Sequence, residues 1–92
     1  MARKVPPPIE AILGLTSSQA SDLLVNLTKR ERQVAELMAA GTSNRRIAEQ
    51  LGISTKTLDI HRSHVRKKLQ ARNAVDVARI VYAKRFGEFL LS

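Results

Sequence analysis

"IAEQLGISTKTL", residues 47–58, is the stretch on which the fold turns. Ile47, Ala48 and Leu51 stand at the three- and four-residue spacing that lines one side of a helix. Gly52 then supplies a sharp turn, because a residue without a Cβ takes up the left-handed backbone that ends a helix at little cost. Ile53 plugs inward, and Ser54 is placed to cap a second, longer helix. A short helix, a tight turn containing glycine and a longer helix make a helix-turn-helix, here about residues 43–63. Taken alone, the pattern also fits an ordinary helical hairpin in an all-α core.

Charge separates the two possibilities. The chain has 92 residues and a formal net charge of +8. From Arg45 to Arg72, eight Lys or Arg stand against two acids, Glu49 and Asp59. Solubility gives no reason for such clustering, so the expected partner is a polyanion, nucleic acid ahead of an acidic membrane surface. With two Phe and one Tyr, the chain lacks the aromatic platforms on which single strands stack. Double-stranded DNA is therefore the expected partner. The absence of cysteine excludes disulfides, thiolate metal sites and a cysteine nucleophile. No apolar run approaches the roughly 20 residues of a membrane span, so no membrane partner is expected. Three prolines and an apolar stretch of only "AILGL" in "MARKVPPPIEAILGLTSS" speak against a signal peptide, so none is expected, and a cytoplasmic, nucleoid-associated location follows as an expectation.

Working outward, "TKRE" at 28–31 is a capping box, in which Thr28 and Glu31 satisfy each other's backbone N–H groups. Val34, Leu37 and Met38 give the apolar face of a helix over about 29–40, which Gly41 ends. Ser43 or Asn44 caps the short helix, and the long one runs over about 55–70. Asn73 caps a fourth helix from Ala74 to about Phe86, with Gly87 after it. No β pattern occurs. The expected fold is all-α: a small four-helix bundle with a helix-turn-helix. Residues 24–89 form the DNA-binding domain, and residues 1–23 an arm that is partly disordered or short helical.

At about 100° per residue, Leu58, His61, Val65 and Leu69 make the inward stripe of the long helix. Lys56, Ile60, Ser63 and Lys67 face the other way, with Thr57, Asp59 and His64 at the edges. A helix of this kind fits the major groove of B-DNA. Ile60 points away from the core, and against a thymine methyl it would discriminate bases without a hydrogen bond; the plainer alternative is a lone surface aliphatic. Asp59 can accept from a cytosine amino group, orient a neighbouring Arg or Lys, or simply favour the helix N-terminus. Lys56, Asp59, Ile60 and Ser63 are thus the expected base-reading residues. Ser43, Asn44, Arg45, Ser54, Thr57, His64, Arg66, Lys67 and Lys68 are expected at the phosphate backbone, where unpaired N–H groups at helix starts add an anion site. His61 and His64 find no third ligand, so no metal and no cofactor is expected. Ser63, His61 and Asp59 crowd one helix without a pocket, so no catalytic triad and no enzyme is expected.

"LTKRERQVAELMAAGTSNRRIAEQLGISTKTLDIHRSHVRKKLQARN" resembles the LuxR-type helix-turn-helix domain of the FixJ/NarL response-regulator class. The residues carrying the resemblance are Leu27, Thr28, Arg30, Glu31, Val34, Gly41, Ser43, Asn44, Ile47, Ala48, Leu51, Ile53, Ser54, Thr57, His61, Lys68 and Leu69, within a match from Leu24 to Phe89. The resemblance implies a four-helix DNA-binding domain controlling transcription, dimeric on DNA through its fourth helix, with base-reading positions at Asp59, Ile60 and Ser63. Arg46 departs from the usual Glu or Gln. Asp59 stands where many relatives carry Lys and the FixJ-like subset carries Glu, which places this chain with that subset. The phosphorylatable receiver domain usual in the class does not fit in residues 1–26, so an excised effector half and a stand-alone regulator both stay open.

The fourth helix is apolar on more than one side. Ala74, Val77, Ala78 and Val81 make a core stripe, while Val75, Ile80, Tyr82 and Phe86 lie off it and must be buried elsewhere. Two occupants compete: a second copy of the helix, giving a homodimer on DNA, and the segment Ile9 to Leu24 folding back. The dimer is the expectation, because half-sites about one turn apart call for a two-fold protein. Contact with RNA polymerase is a further possible partnership. The nearest rival within DNA binding is a domain like region four of a sigma factor, and the rival from another class is a protein-interaction module whose charge is incidental.

Overall fold

The structure, a computed structural model, describes the backbone of residues 15–91 and the side chains of residues 15–85. Among these residues five helices and no strand occur: α1 (Ser17–Leu24), α2 (Lys29–Ala39), α3 (Asn44–Leu51), α4 (Thr55–Leu69) and α5 (Ala74–Leu91). The four expected helices are α2 to α5. The backbone of residues 1–14, including most of the proline-bearing arm, lies outside the described residues.

Local chemistry explains where each helix starts. Thr28 Oγ1 accepts from Glu31 N at 3.1 Å while Glu31 Oε1 accepts from Thr28 N at 2.9 Å, the reciprocal box expected for α2. Thr16 and Gln19 make the same box for α1. Asn73 Oδ1 accepts from Asp76 N at 3.0 Å, and the Asp76 carboxylate reaches back to Arg72 N at 2.9 Å, which starts α5.

Helix ends share one geometry. Gly41 after α2 and Gly52 after α3 take positive φ (78° and 67°), and each is closed by paired backbone bonds. These run from Thr42 N to Leu37 O and Gly41 N to Met38 O in one case, and from Ile53 N to Ala48 O and Gly52 N to Glu49 O in the other. Gln70 ends α4 in the same way, with φ 55° and Ala71 N bonded to Arg66 O at 2.8 Å. A residue with a Cβ is strained there.

The core is continuous. Val34, Ile47, Leu58, Val65, Leu69 and Val77 are fully buried, each contributing roughly 1.5–3 kcal/mol of transfer free energy. Ala20 and Leu24 of α1 join the same cluster, so α1 packs with the four-helix unit, chiefly across α5.

Two expectations about α5 are corrected. Ile80, placed off the core stripe by its spacing, is buried at 6% exposure, as part of the core cluster of a helix on which both α1 and α2 pack. Of the two occupants weighed for this helix, α1 is the one seated on it within the chain. The helix also does not stop near Phe86: it continues through Gly87 to Leu91. A glycine inside a helix costs only about 1 kcal/mol against alanine, and Glu88, Leu90 and Leu91 after it favour helix.

Candidate nucleic-acid interface

The α3–turn–α4 unit positions the site. Ser43 Oγ accepts from Arg46 N at 3.3 Å and starts α3. The left-handed Gly52 reverses the chain, and Ile53, half-buried against the core, holds the turn down. Ser54 Oγ then accepts from Thr57 N at 3.0 Å and donates to Thr57 Oγ1 at 3.0 Å, which starts α4. Leu58, Val65 and Leu69 anchor α4 inward. His61, Arg62, Ser63 and Arg66 lie half-buried along its flanks, and the residues opposite the anchors face outward.

That outward face gathers the expected base-reading residues. Lys56, Asp59 and Ile60 are exposed and Ser63 is half-buried, on consecutive turns of one helix. Ile60 keeps 53% of its surface in contact with solvent, on the face of α4 turned away from Leu58 and Val65. Of the expected backbone residues, Ser43, Asn44 and Arg45 stand exposed at the start of α3, and Ser54 and Thr57 at the start of α4. Lys67 is exposed and Arg66 half-buried further along α4. Arg45, Lys56, Arg66 and Lys67 have no ion-pair partner among the described residues. Their charge is therefore not neutralised among the described residues.

Lys68 and His64 differ from that pattern. Lys68 Nζ donates to Glu31 Oε1 at 2.7 Å, which draws this lysine toward the α2 side of the helix while it stays partly exposed. His64 Nδ1 lies 3.6 Å from the other oxygen, Glu31 Oε2. Glu31 is the sole buried charged side chain among the described residues. Burial pushes its carboxyl up, but the Lys68 ammonium and the Thr28 backbone N–H outweigh that and hold its pKa below the ordinary value. The capping box and the family resemblance both single out Glu31 in the sequence; its bond to a residue 37 positions away is tertiary.

The four residues expected at a dimer contact do not stay together. Val75 and Tyr82 are exposed at 62% and 42%, seven residues apart and so on one side of α5. Ile80 is interior, and the side chain of Phe86 lies outside the described residues. Tyr82 also has a task within the chain, since its hydroxyl donates to Ala39 O at 2.7 Å, tying α5 to the end of α2. The Arg85 guanidinium sits 5.8 Å from the centre of the same ring, at cation–π distance.

Comparison with known proteins agrees with this architecture. Residues 25–81 match the family described as bacterial regulatory proteins, luxR family. The transcriptional regulatory protein UhpA of Escherichia coli (strain K12) is 48% identical over 56 residues, covering 61% of this chain and 29% of UhpA. The transcriptional regulatory protein FixJ of Rhizobium meliloti (strain 1021) is 39% identical over 64 residues, covering 70% of this chain and 31% of FixJ. Full-length FixJ from B. japonicum, in its crystal structure, superposes with a TM-score of 0.66 at 33% identity, over 76% of this chain and 36% of that one. The chain thus spans only about a third of these relatives' length. On the family match and on a fold shared with FixJ, the chain belongs to the luxR family of bacterial regulatory proteins.

Proposed function

We propose that this domain binds duplex DNA in a sequence-specific manner and regulates transcription through it, with α4 in the major groove. The observation that carries the proposal is the outward face of α4, where a half-exposed Ile60 and the Asp59 carboxylate lie between cations that have no internal partner. The relatives UhpA and FixJ, both named transcriptional regulatory proteins, support it. In this proposal Lys56, Asp59, Ile60 and Ser63 meet base edges, while Arg45, Arg66 and Lys67 grip phosphates together with the polar starts of α3 and α4 around Ser43, Asn44, Ser54 and Thr57. His64 offers its solvent-facing edge to the same backbone. The unit that does this is residues 24–89, with α1 as its cover, and two copies meet on DNA through the side of α5 that carries Val75 and Tyr82.

The salt dependence of binding tests both parts. If Arg45, Arg66 and Lys67 each neutralise one phosphate, log K falls against log salt with a slope of about −2.7 for one protomer and about −5.4 for two. A flat response would refute the DNA reading in favour of a protein-interaction module. Sedimentation with and without a site recovered by selection from random duplexes then reads the dimer directly; a single protomer on the site would refute that part.

A further inference from the structure

Glu31 faces the interface helix from its inner side and is the most constrained polar side chain near it. Its Oε1 accepts from Thr28 N at 2.9 Å and from Lys68 Nζ at 2.7 Å, and its Oε2 lies 3.6 Å from His64 Nδ1. A carboxylate this buried persists only with partners on its oxygens. Here those partners are the start of α2 and Lys68 of α4, with His64, one turn earlier on α4, close to the second oxygen. A single carboxylate therefore couples the start of α2 to the rotation of α4 about its own axis.

Rotation is the degree of freedom that matters to an interface of this kind. The apolar anchors Leu58, Val65 and Leu69 resist separation of α4 from the core, but hydrophobic contact is non-directional and tolerates a small roll. A roll of about 20° moves a side-chain tip on a helix by roughly 2 Å. That exceeds the tolerance of a hydrogen bond or of a methyl contact.

We propose that Glu31 is a positioning residue for DNA reading. Its carboxylate sets the roll of α4, keeps Lys68 off the phosphates and turns His64 so that Nδ1 faces inward and Nε2 outward. The inference rests on the DNA-binding reading above, and it assigns sequence discrimination in part to a residue that does not touch DNA.

The test compares two labelled duplexes, one carrying the site recovered by selection and one with that site scrambled. Glu31→Gln keeps an oxygen for the Thr28 cap but discards the charge that holds Lys68. The ratio of specific to scrambled affinity falls about tenfold, the worth of one displaced base contact. Binding to the scrambled duplex holds or tightens, because the variant is one charge more positive. Lys68→Met gives the same loss of ratio, and Lys68→Arg, still able to reach the carboxylate, retains it. An unchanged ratio in both Glu31→Gln and Lys68→Met, with a lower melting temperature alone, would reduce Glu31 to a packing role and overturn the proposal. Should Glu31→Gln fail to fold, Lys68→Met decides by itself, since it leaves the Thr28–Glu31 cap intact. Wild-type protein that binds neither duplex sinks the DNA-binding reading itself, a result distinct from the others.

Discussion

Ile60→Ala isolates the apolar part of base reading. Ile60 is 53% exposed, and full burial of an isoleucine side chain is worth roughly 1.5–3 kcal/mol. About half of that surface is still in water, so covering it with a thymine methyl contributes about 0.8–1.5 kcal/mol. This corresponds to a factor of about four to about twelve in Kd. Alanine keeps only the Cβ and loses most of it. The assay is competition anisotropy on the selected site, with each thymine replaced in turn by uracil, which removes the methyl group and nothing else. Wild-type protein loses that factor at one thymine, whereas Ile60→Ala binds the thymine and uracil duplexes alike. The two substitutions form a double-mutant cycle whose coupling is the contact itself. Stability stays within about 0.5 kcal/mol, as for other surface changes. If Ile60→Ala still discriminates thymine from uracil as wild type does, or if no thymine methyl matters to wild type, Ile60 is not in the groove.

Leu58→Ala, two residues away on the same helix, does the opposite: Leu58 is fully buried, so its truncation costs about 2–5 kcal/mol and lowers the melting temperature. An unaltered melt would contradict the inward stripe of α4. Gln70→Gly relieves the left-handed residue at the end of α4 and stabilises the domain by about 0.5–1 kcal/mol, the αL strain less the entropy glycine adds to the unfolded chain. A lower urea midpoint for this variant would show that the strain is absent. Glu31 has a lowered pKa in the fold, so its contribution is complete above the carboxylate value of the unfolded chain and disappears as pH falls through the lower folded value. Between about pH 5 and 2 the urea midpoint of Glu31→Gln therefore declines less steeply than that of wild type; parallel declines would contradict the assignment.

Much of this molecule is written in contacts of three to five residues, which is why it can be read from the chain. The Thr28–Glu31 box, the Ser43 and Ser54 caps, the left-handed Gly41 and Gly52 and the inward stripe of Leu58, Val65 and Leu69 all depend on neighbours within a turn or so. Because α4 has one inward stripe, its outward face, with Ile60 at its centre, follows from the helical period alone. Gln70 escaped notice because the left-handed residue there is not a glycine, and no side chain advertises the strain.

The rest is tertiary. Which side of α5 is interior, and with it the burial of Ile80, depends on both α1 and α2 packing on that helix, which the sequence of α5 does not state. Tyr82 is tied to Ala39 across 43 positions, and Lys68 to Glu31 across 37. A lysine in a basic run reads as one more cation until a buried carboxylate is brought beside it, because the chain states which charges exist and only the packed fold states which of them are already paired.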